Sequence, residues 1–216
     1  MGYTPALITE KSVIKTDGVP AVLTNITLPS LPEACREPYA KNFGKYYAVL
    51  KSAFLKFAGT ALKKESCAAL SEGKPPYGAV LKSVISHETK QIISVFTDAQ
   101  ITDGNGRRVY RTVQLWRKSD GALLRFADVF QKNAVKKLLL PVKNAVKRRA
   151  ESGGASLYSD WESRAKRFFN RERFYISPCG TVFFYPGGRL NHRCEIFPAA
   201  LNKEQVKEFI SIEPWE

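Results

Sequence analysis

From about residue 37 to 69 the apolar residues recur at three- and four-residue steps: Phe43, Tyr46, Tyr47, Leu50, Phe54, Phe57, Ala58, Ala61 and Leu62. Lys41, Lys45, Lys51, Lys56, Lys63 and Lys64 fill the remaining faces. A period near 3.6 sustained over this length specifies one long amphipathic helix, and Pro38 suits its first turn. The wide aromatic stripe reads as core and not as a ligand box. On both sides of the helix the period falls to two. A chain that alternates between these periods is an α+β protein.

The strands can be placed around that helix. Residues 11–28 alternate around Gly18-Val19-Pro20, giving one or two strands closed by Pro29 and Pro32. Beyond Gly73-Lys74-Pro75-Pro76, residues 79–86 and 91–101 read as neighbours joined by a turn at 87–90. Asp103-Gly104-Asn105-Gly106 is a hairpin signal leading into 107–117, which completes an antiparallel meander. A short helix at 126–130 and a longer one at 133–150, which Pro141 should kink, come next. Ser159 or Asp160 can cap a further helix to about 169. Strands at 174–176, 181–185 and 190–197 and a short helix at 203–210 close the chain. The expected architecture is antiparallel sheets packed with a long N-terminal helix and a central pair of helices. It divides into two small lobes sharing one unit, residues 1–75 and 76–216.

The 216 residues carry 34 Lys+Arg against 20 Asp+Glu, a formal net charge of +14. That excess biases the protein towards polyanions: nucleic acid, teichoic acid, acidic lipid or an anionic wall glycan. No apolar run approaches the roughly 20 residues of a bilayer crossing, so any membrane tether would lie outside this sequence. The start, Met1-Gly2-Tyr3-Thr4-Pro5, lacks the pattern of a secretory leader, which leaves a cytosolic protein or a secreted domain without its leader.

The charge is concentrated. Residues 132–173 hold twelve basic and four acidic side chains, with Trp161, Phe168 and Phe169 among the arginines. This alternation suits stacking on bases or sugars beside anionic groups. Lys143, Lys147, Arg148, Arg149, Trp161, Arg164, Arg167 and Arg171 are the candidate binding face, although most charge runs are simply solvated helix faces. Specific nucleic-acid recognition is the weaker alternative, since no helix-turn-helix, RNP or zinc-finger signature accompanies the charge.

Catalytic signatures are missing: there is no phosphate loop, nucleophile elbow or H-E-x-x-H. His87 and His192 read as surface or structural histidines, and the pair Cys179 and His192 lacks an orienting third group. No catalytic residue, metal site or cofactor is expected. Of the four cysteines, Cys179 and Cys194 become neighbours if a hairpin turns near Gly187, which makes them a disulfide candidate and implies an oxidising compartment. Two free thiols are the alternative. A straight helix would hold Cys35 and Cys67 about 45 Å apart. They can pair only if it breaks, for example near Gly44 or Gly59.

Two segments carry a family resemblance. Trp116-Arg117-Lys118-Ser119-Asp120-Gly121-Ala122-Leu123-Leu124-Arg125-Phe126-Ala127-Asp128-Val129-Phe130 resembles a strand followed by "tGk.l.l.DlF" and a helix. Arg173-Phe174-Tyr175-Ile176-Ser177-Pro178-Cys179-Gly180-Thr181-Val182-Phe183-Phe184-Tyr185 resembles "FyltpeGlvfyf". Both are similar to the domain of unknown function that forms the extracytoplasmic part of RsiV-type anti-sigma factors. Residues 22–69 resemble the opening of its smaller N-terminal partner domain, also found beside peptidoglycan deacetylases. The resemblance spans about 11–210 and implies an α+β fold, a surface or secreted location, and a binding or sensing role. The family's "GG-a-H" is replaced here by Asp103-Gly104-Asn105-Gly106-Arg107-Arg108. RsiV-type proteins bind lysozyme, but a chain of charge +14 should repel so basic a partner, and that ligand is not carried over.

The expectation is therefore a non-catalytic, extracytoplasmic binding or sensing domain associated with the anionic wall or its glycans. A protein-ligand sensor of the anti-sigma type is the first alternative and a nucleic-acid binder the second.

Overall fold

The computed structural model describes residues 3–215. The chain forms two compact units, Met1–Val84 with Thr97–Tyr110 and Ile85–Phe96 with Arg111–Glu216. The division differs from the one expected at residue 75, because both units take residues from the meander. Its strands run to twelve residues each, about 40 Å of chain.

The first unit opens with a hairpin of β1 (Ala6–Thr16) and β2 (Val19–Ser30), which pair antiparallel. Asp17 and Gly18 turn it with φ of 50° and 82°, the left-handed conformations that match the twist of a two-residue hairpin. The predicted long helix is present as α1 (Ala40–Phe57), a π-helical turn (Ala58–Leu62) and α2 (Lys63–Ser71). The chain then enters β3 (Tyr77–Glu88), which runs parallel to β2, with Val22 opposite Tyr77 and Thr27 opposite Lys82. The sheet is antiparallel-rich as expected, with β2–β3 as a parallel pair within it. The helical segment returns the chain to the starting end of β2, and a strand reached that way lies parallel. With β4 (Ile92–Asp103) and β5 (Gly106–Arg117) the sheet order is β1-β2-β3-β4-β5. Hydroxyl pairs set the β3–β4 register, Ser83 facing Thr97 and Ser86 facing Ser94.

Phe43, Tyr47, Phe54, Ala58 and Leu62 bury the helical stripe, and Val22, Ile26 and Leu28 line the same core from β2. Phe57 stays 43% exposed, so the stripe is narrower than its spacing implied. Ser66 is fully buried: its hydroxyl donates to the Ala21 carbonyl (2.6 Å) and accepts the Tyr77 N–H (3.1 Å). A polar group in that position is tolerated because both bonds are made. Gly44, in the second turn of α1, has nothing within 4 Å of where a Cβ would project. A glycine within a helix costs about 0.5–1 kcal/mol relative to alanine, so crowding is not what keeps it.

In the second unit α3 (Phe126–Val129), α4 (Ala134–Gly153) and α5 (Trp161–Phe168) precede the antiparallel sheet β6 (Phe174–Ser177), β7 (Gly180–Tyr185) and β8 (Phe197–Asn202). α6 (Lys203–Val206) and a 3₁₀ turn at Lys207–Phe209 follow. Helix α4 continues through Pro141 and packs on β8 with Leu138, Val142 and Val146 buried. Phe130 stacks on Phe126 at 4.5 Å and meets Phe174 and Phe183 edgewise or tilted. The buried Tyr185 hydroxyl donates to the Ala165 carbonyl, and burial raises its pKa well above the ordinary phenol value.

The last predicted strand is displaced. Residues 190–196 form a loop, and the ladder with β7 begins only at Phe197, Gly180 facing Asn202 and Tyr185 facing Phe197. Within the loop the Gly188 N–H donates to the Arg193 carbonyl (2.7 Å) and the Arg193 N–H to Asn191 Oδ1 (3.1 Å). The disulfide candidate falls with that register. Cys179 adjoins the start of β7, where the Lys203 N–H donates to its carbonyl. The Cys194 carbonyl instead crowds Gly187, beyond the other end of the strand. The separation is about 20 Å along β7, and a disulfide requires Cα atoms within about 7 Å. All four cysteines are free thiols. Cys35 is buried, and Cys67 lies 3.2 Å from the Thr16 hydroxyl.

His87 introduces a pH dependence. Its Nε2 is buried with no hydrogen-bond partner. Desolvation, then the charge of Lys203, lower its pKa from 6.5, against the opposing hydrogen bond to the Pro214 backbone. Because the folded pKa is depressed, the unfolded chain takes up this proton first as pH falls below about 6.5. The stability held above that value is then lost on acidification. Thermal midpoints should drop between about pH 7 and 5, and His87→Gln should flatten the drop. An unchanged slope in the variant would assign the effect to other groups.

Candidate functional site

The richest assembly of cations and rings is on the second unit, where α5 meets the loop at 186–196. Asp160 stands at the cap position of α5, but its carboxylate accepts from Arg164 Nε at 2.7 Å and makes no cap bond. That bond, one helical turn along, holds the Arg164 guanidinium 4.1 Å over the Tyr158 ring. The Tyr158 N–H donates to the Leu190 carbonyl, and its ring meets His192 edge-on at 4.3 Å. Helix and loop are thereby fastened together.

A second ring extends the surface. Phe168, at the end of α5, has Arg189 at 4.8 Å and Arg167 at 5.3 Å from its centroid. A guanidinium stacked on a ring keeps its in-plane N–H donors directed outward. Arg167, Arg189, His192 and Arg193 are exposed. Such a surface presents forked donors beside flat apolar faces. Forked donors hold phosphate or carboxylate in two bonds, and the rings accept sugar or base faces.

The structure distributes the sequence-predicted residues unevenly. Arg164 and Arg167 belong to this assembly. Arg171 pairs with Glu172 at 3.3 Å and Lys143 with Glu162 across α4 and α5. Trp161 is partly buried against the core. Lys147, Arg148 and Arg149 are exposed near the end of α4, but consecutive helical residues stand about 100° apart, so the three fan out and share no face. Arg149 lines a small pocket of about 60 Å³ with Asn191 and Arg193. Sequence reasoning missed Tyr158, Arg189 and Arg193. The Arg189–Arg193 segment is itself basic, but it lies beyond the 132–173 charge run, and from Leu190 on its spacing is that of a strand.

Arg111 is a cation of another kind, lying 4.0 Å over Phe96 with Tyr175 and Phe184 near 6 Å. Among the described residues no group of three His, Cys, Asp or Glu is placed to hold a metal, and no helix is long and apolar enough to cross a membrane.

No protein-family model and no curated protein matches this chain. Solved structures do. A member of the DUF3298 family from Bacteroides fragilis NCTC 9343 aligns with a TM-score of 0.63 at 11% identity, covering 98% of this chain and 94% of that one. A DUF3298 family protein from Pseudomonas aeruginosa PAO1 aligns with a TM-score of 0.65 at 10% identity, covering 98% and 95%. At these identities the likeness is one of fold, extending over nearly the whole chain.

Proposed function

We propose that this chain is a non-catalytic, extracytoplasmic binding domain of the RsiV-like type, and that its second unit holds an anionic polymer of the cell wall or its glycans. The observation that carries the reading is the placing of Arg164 over Tyr158 and of Arg167 and Arg189 beside Phe168 on one α5–loop surface. The extracytoplasmic location draws its support from the family resemblance. The DUF3298 neighbours are consistent with it in fold.

The test is co-sedimentation of the protein with purified Gram-positive walls across a salt series, with and without competitor DNA. Retention should weaken with salt, survive DNA, and fall when teichoic acid is stripped from the walls. Arg167→Ala with Arg189→Ala should weaken retention about tenfold, the equivalent of one charge-assisted hydrogen bond. Complete displacement by DNA would make the surface a general polyanion binder and overturn the wall reading.

A protein-ligand sensor is the second reading, favoured by the apolar exposure of Leu7, Ile8 and Val13 on β1. Binding of that kind would survive moderate salt.

A further inference from the structure

We infer that β1, together with the groove beside it, takes up an extended peptide as a sixth strand, and that this peptide alternates apolar and acidic residues. The inference uses the first unit alone and does not depend on the wall-binding surface.

β1 stands at the edge of the sheet with β2 as its one neighbour, so one side of an eleven-residue strand has backbone N–H and C=O groups without a strand partner. Residues 6–13 are all exposed, including Leu7, Ile8 and Val13. An edge of this length and apolarity is a template for strand addition.

The two faces of β1 differ, and the difference defines the partner. Ile8 and Glu10, opposite Leu28 and Ile26 of β2, line a groove of about 470 Å³ between the sheet and α1. Ligand pockets ordinarily run about 300–1,000 Å³, so the groove has room for a partner's side chains. The α1 wall includes Gly44 and Ala48. Neither has a long side chain, and at Gly44 the space for a Cβ is open. The groove is therefore kept open at the cost of a glycine within the helix. Glu10 is neutralised by Lys51 across the groove at 2.6 Å, and apart from Glu33 and Lys41 the remaining lining is mostly apolar, so this face favours apolar side chains. On the opposite face Lys11, Val13 and Lys15 alternate outward. Lysines on an edge oppose pairing with a second copy, since Lys11 and Lys15 would face similar charge. They favour a strand that brings carboxylates opposite them. An added strand with apolar side chains towards the groove and acidic ones towards the lysines satisfies both faces.

The experiment is calorimetric titration of the whole chain with a synthetic peptide alternating leucine and glutamate, long enough to span β1. A peptide alternating leucine and lysine is the control. The acidic peptide should bind and the basic one should bind at least about tenfold more weakly. Methylating alternate backbone nitrogens of the peptide should abolish binding in one phase and spare it in the other, because only alternate amides face β1. Gly44→Leu should weaken binding about tenfold while the melting temperature holds or rises. Lys11→Glu with Lys15→Glu should weaken it too, whereas Arg167→Ala with Arg189→Ala should leave it unchanged. Loss of binding in that arginine variant would assign the peptide to the second unit and overturn the inference. So would equal effects of the two methylation phases, no measurable binding, or a simple alkanoate occupying the groove without competition from the peptide.

Discussion

Gly180→Ala is expected to destabilise the second unit by on the order of 3–5 kcal/mol. Gly180 adopts φ of 148°, and a Cβ there would lie 2.1 Å from the Leu201 carbonyl oxygen and 2.8 Å from the backbone of Asn202. Those atoms belong to β8, the strand that pairs with β7 at this residue, so relief of the clash must open the ladder. Two costs combine: backbone strain of about 1–3 kcal/mol and overpacking of similar size. A domain of ordinary stability has about 5–15 kcal/mol in all, so the loss is a large fraction of it. Urea unfolding followed by tryptophan fluorescence would measure it, since Trp116, Trp161 and Trp215 all lie in the second unit. A change within about 0.5 kcal/mol would show that the β7–β8 register is wrong.

Phe130→Ala should cost about 3–5 kcal/mol, the range for removing a fully buried aromatic side chain. The ring is 1% exposed and lies among Phe126, Phe174 and Phe183. It joins α3 to β6 and β7, and its backbone bridges Ile210 near the C-terminal turn. Phe130→Leu keeps most of the volume and should cost less than half as much. Similar losses for the two substitutions would mean that ring stacking, and not cavity formation, is what this position contributes.

What could be read from the sequence follows from how local each signal is. The α1–α2 segment was legible because its period is repeated from Phe43 to Leu62, about five turns, and the Asp103–Gly106 hairpin because its turn chemistry is specific. The parallel β2–β3 pairing was not, since pairing direction depends on where the intervening helix leaves the chain. The last strand was misplaced for a physical reason. Leu190 and Ile196 imitate strand spacing, yet the Gly188–Arg193 bond folds that stretch back on itself. The same error produced the Cys179–Cys194 pairing and hid Arg189. At the candidate site, charge density singled out α4 and α5. The fan of Lys147, Arg148 and Arg149 follows from helical geometry, while the ring partners of Arg164, Arg167 and Arg189 are tertiary.

The loop at 186–196 separates two obligations that most of the second unit must meet together. Its anchoring rests chiefly on the buried Leu190 and Asn191, on the Leu190 carbonyl towards Tyr158 and on the Gly188–Arg193 turn, while Arg189, His192 and Arg193 project from it as exposed side chains. Identity at those three positions can therefore change without altering a rung of the β7–β8 ladder. The loop is an exchangeable tip on a fixed mount, and substitutions at its exposed positions should cost little stability.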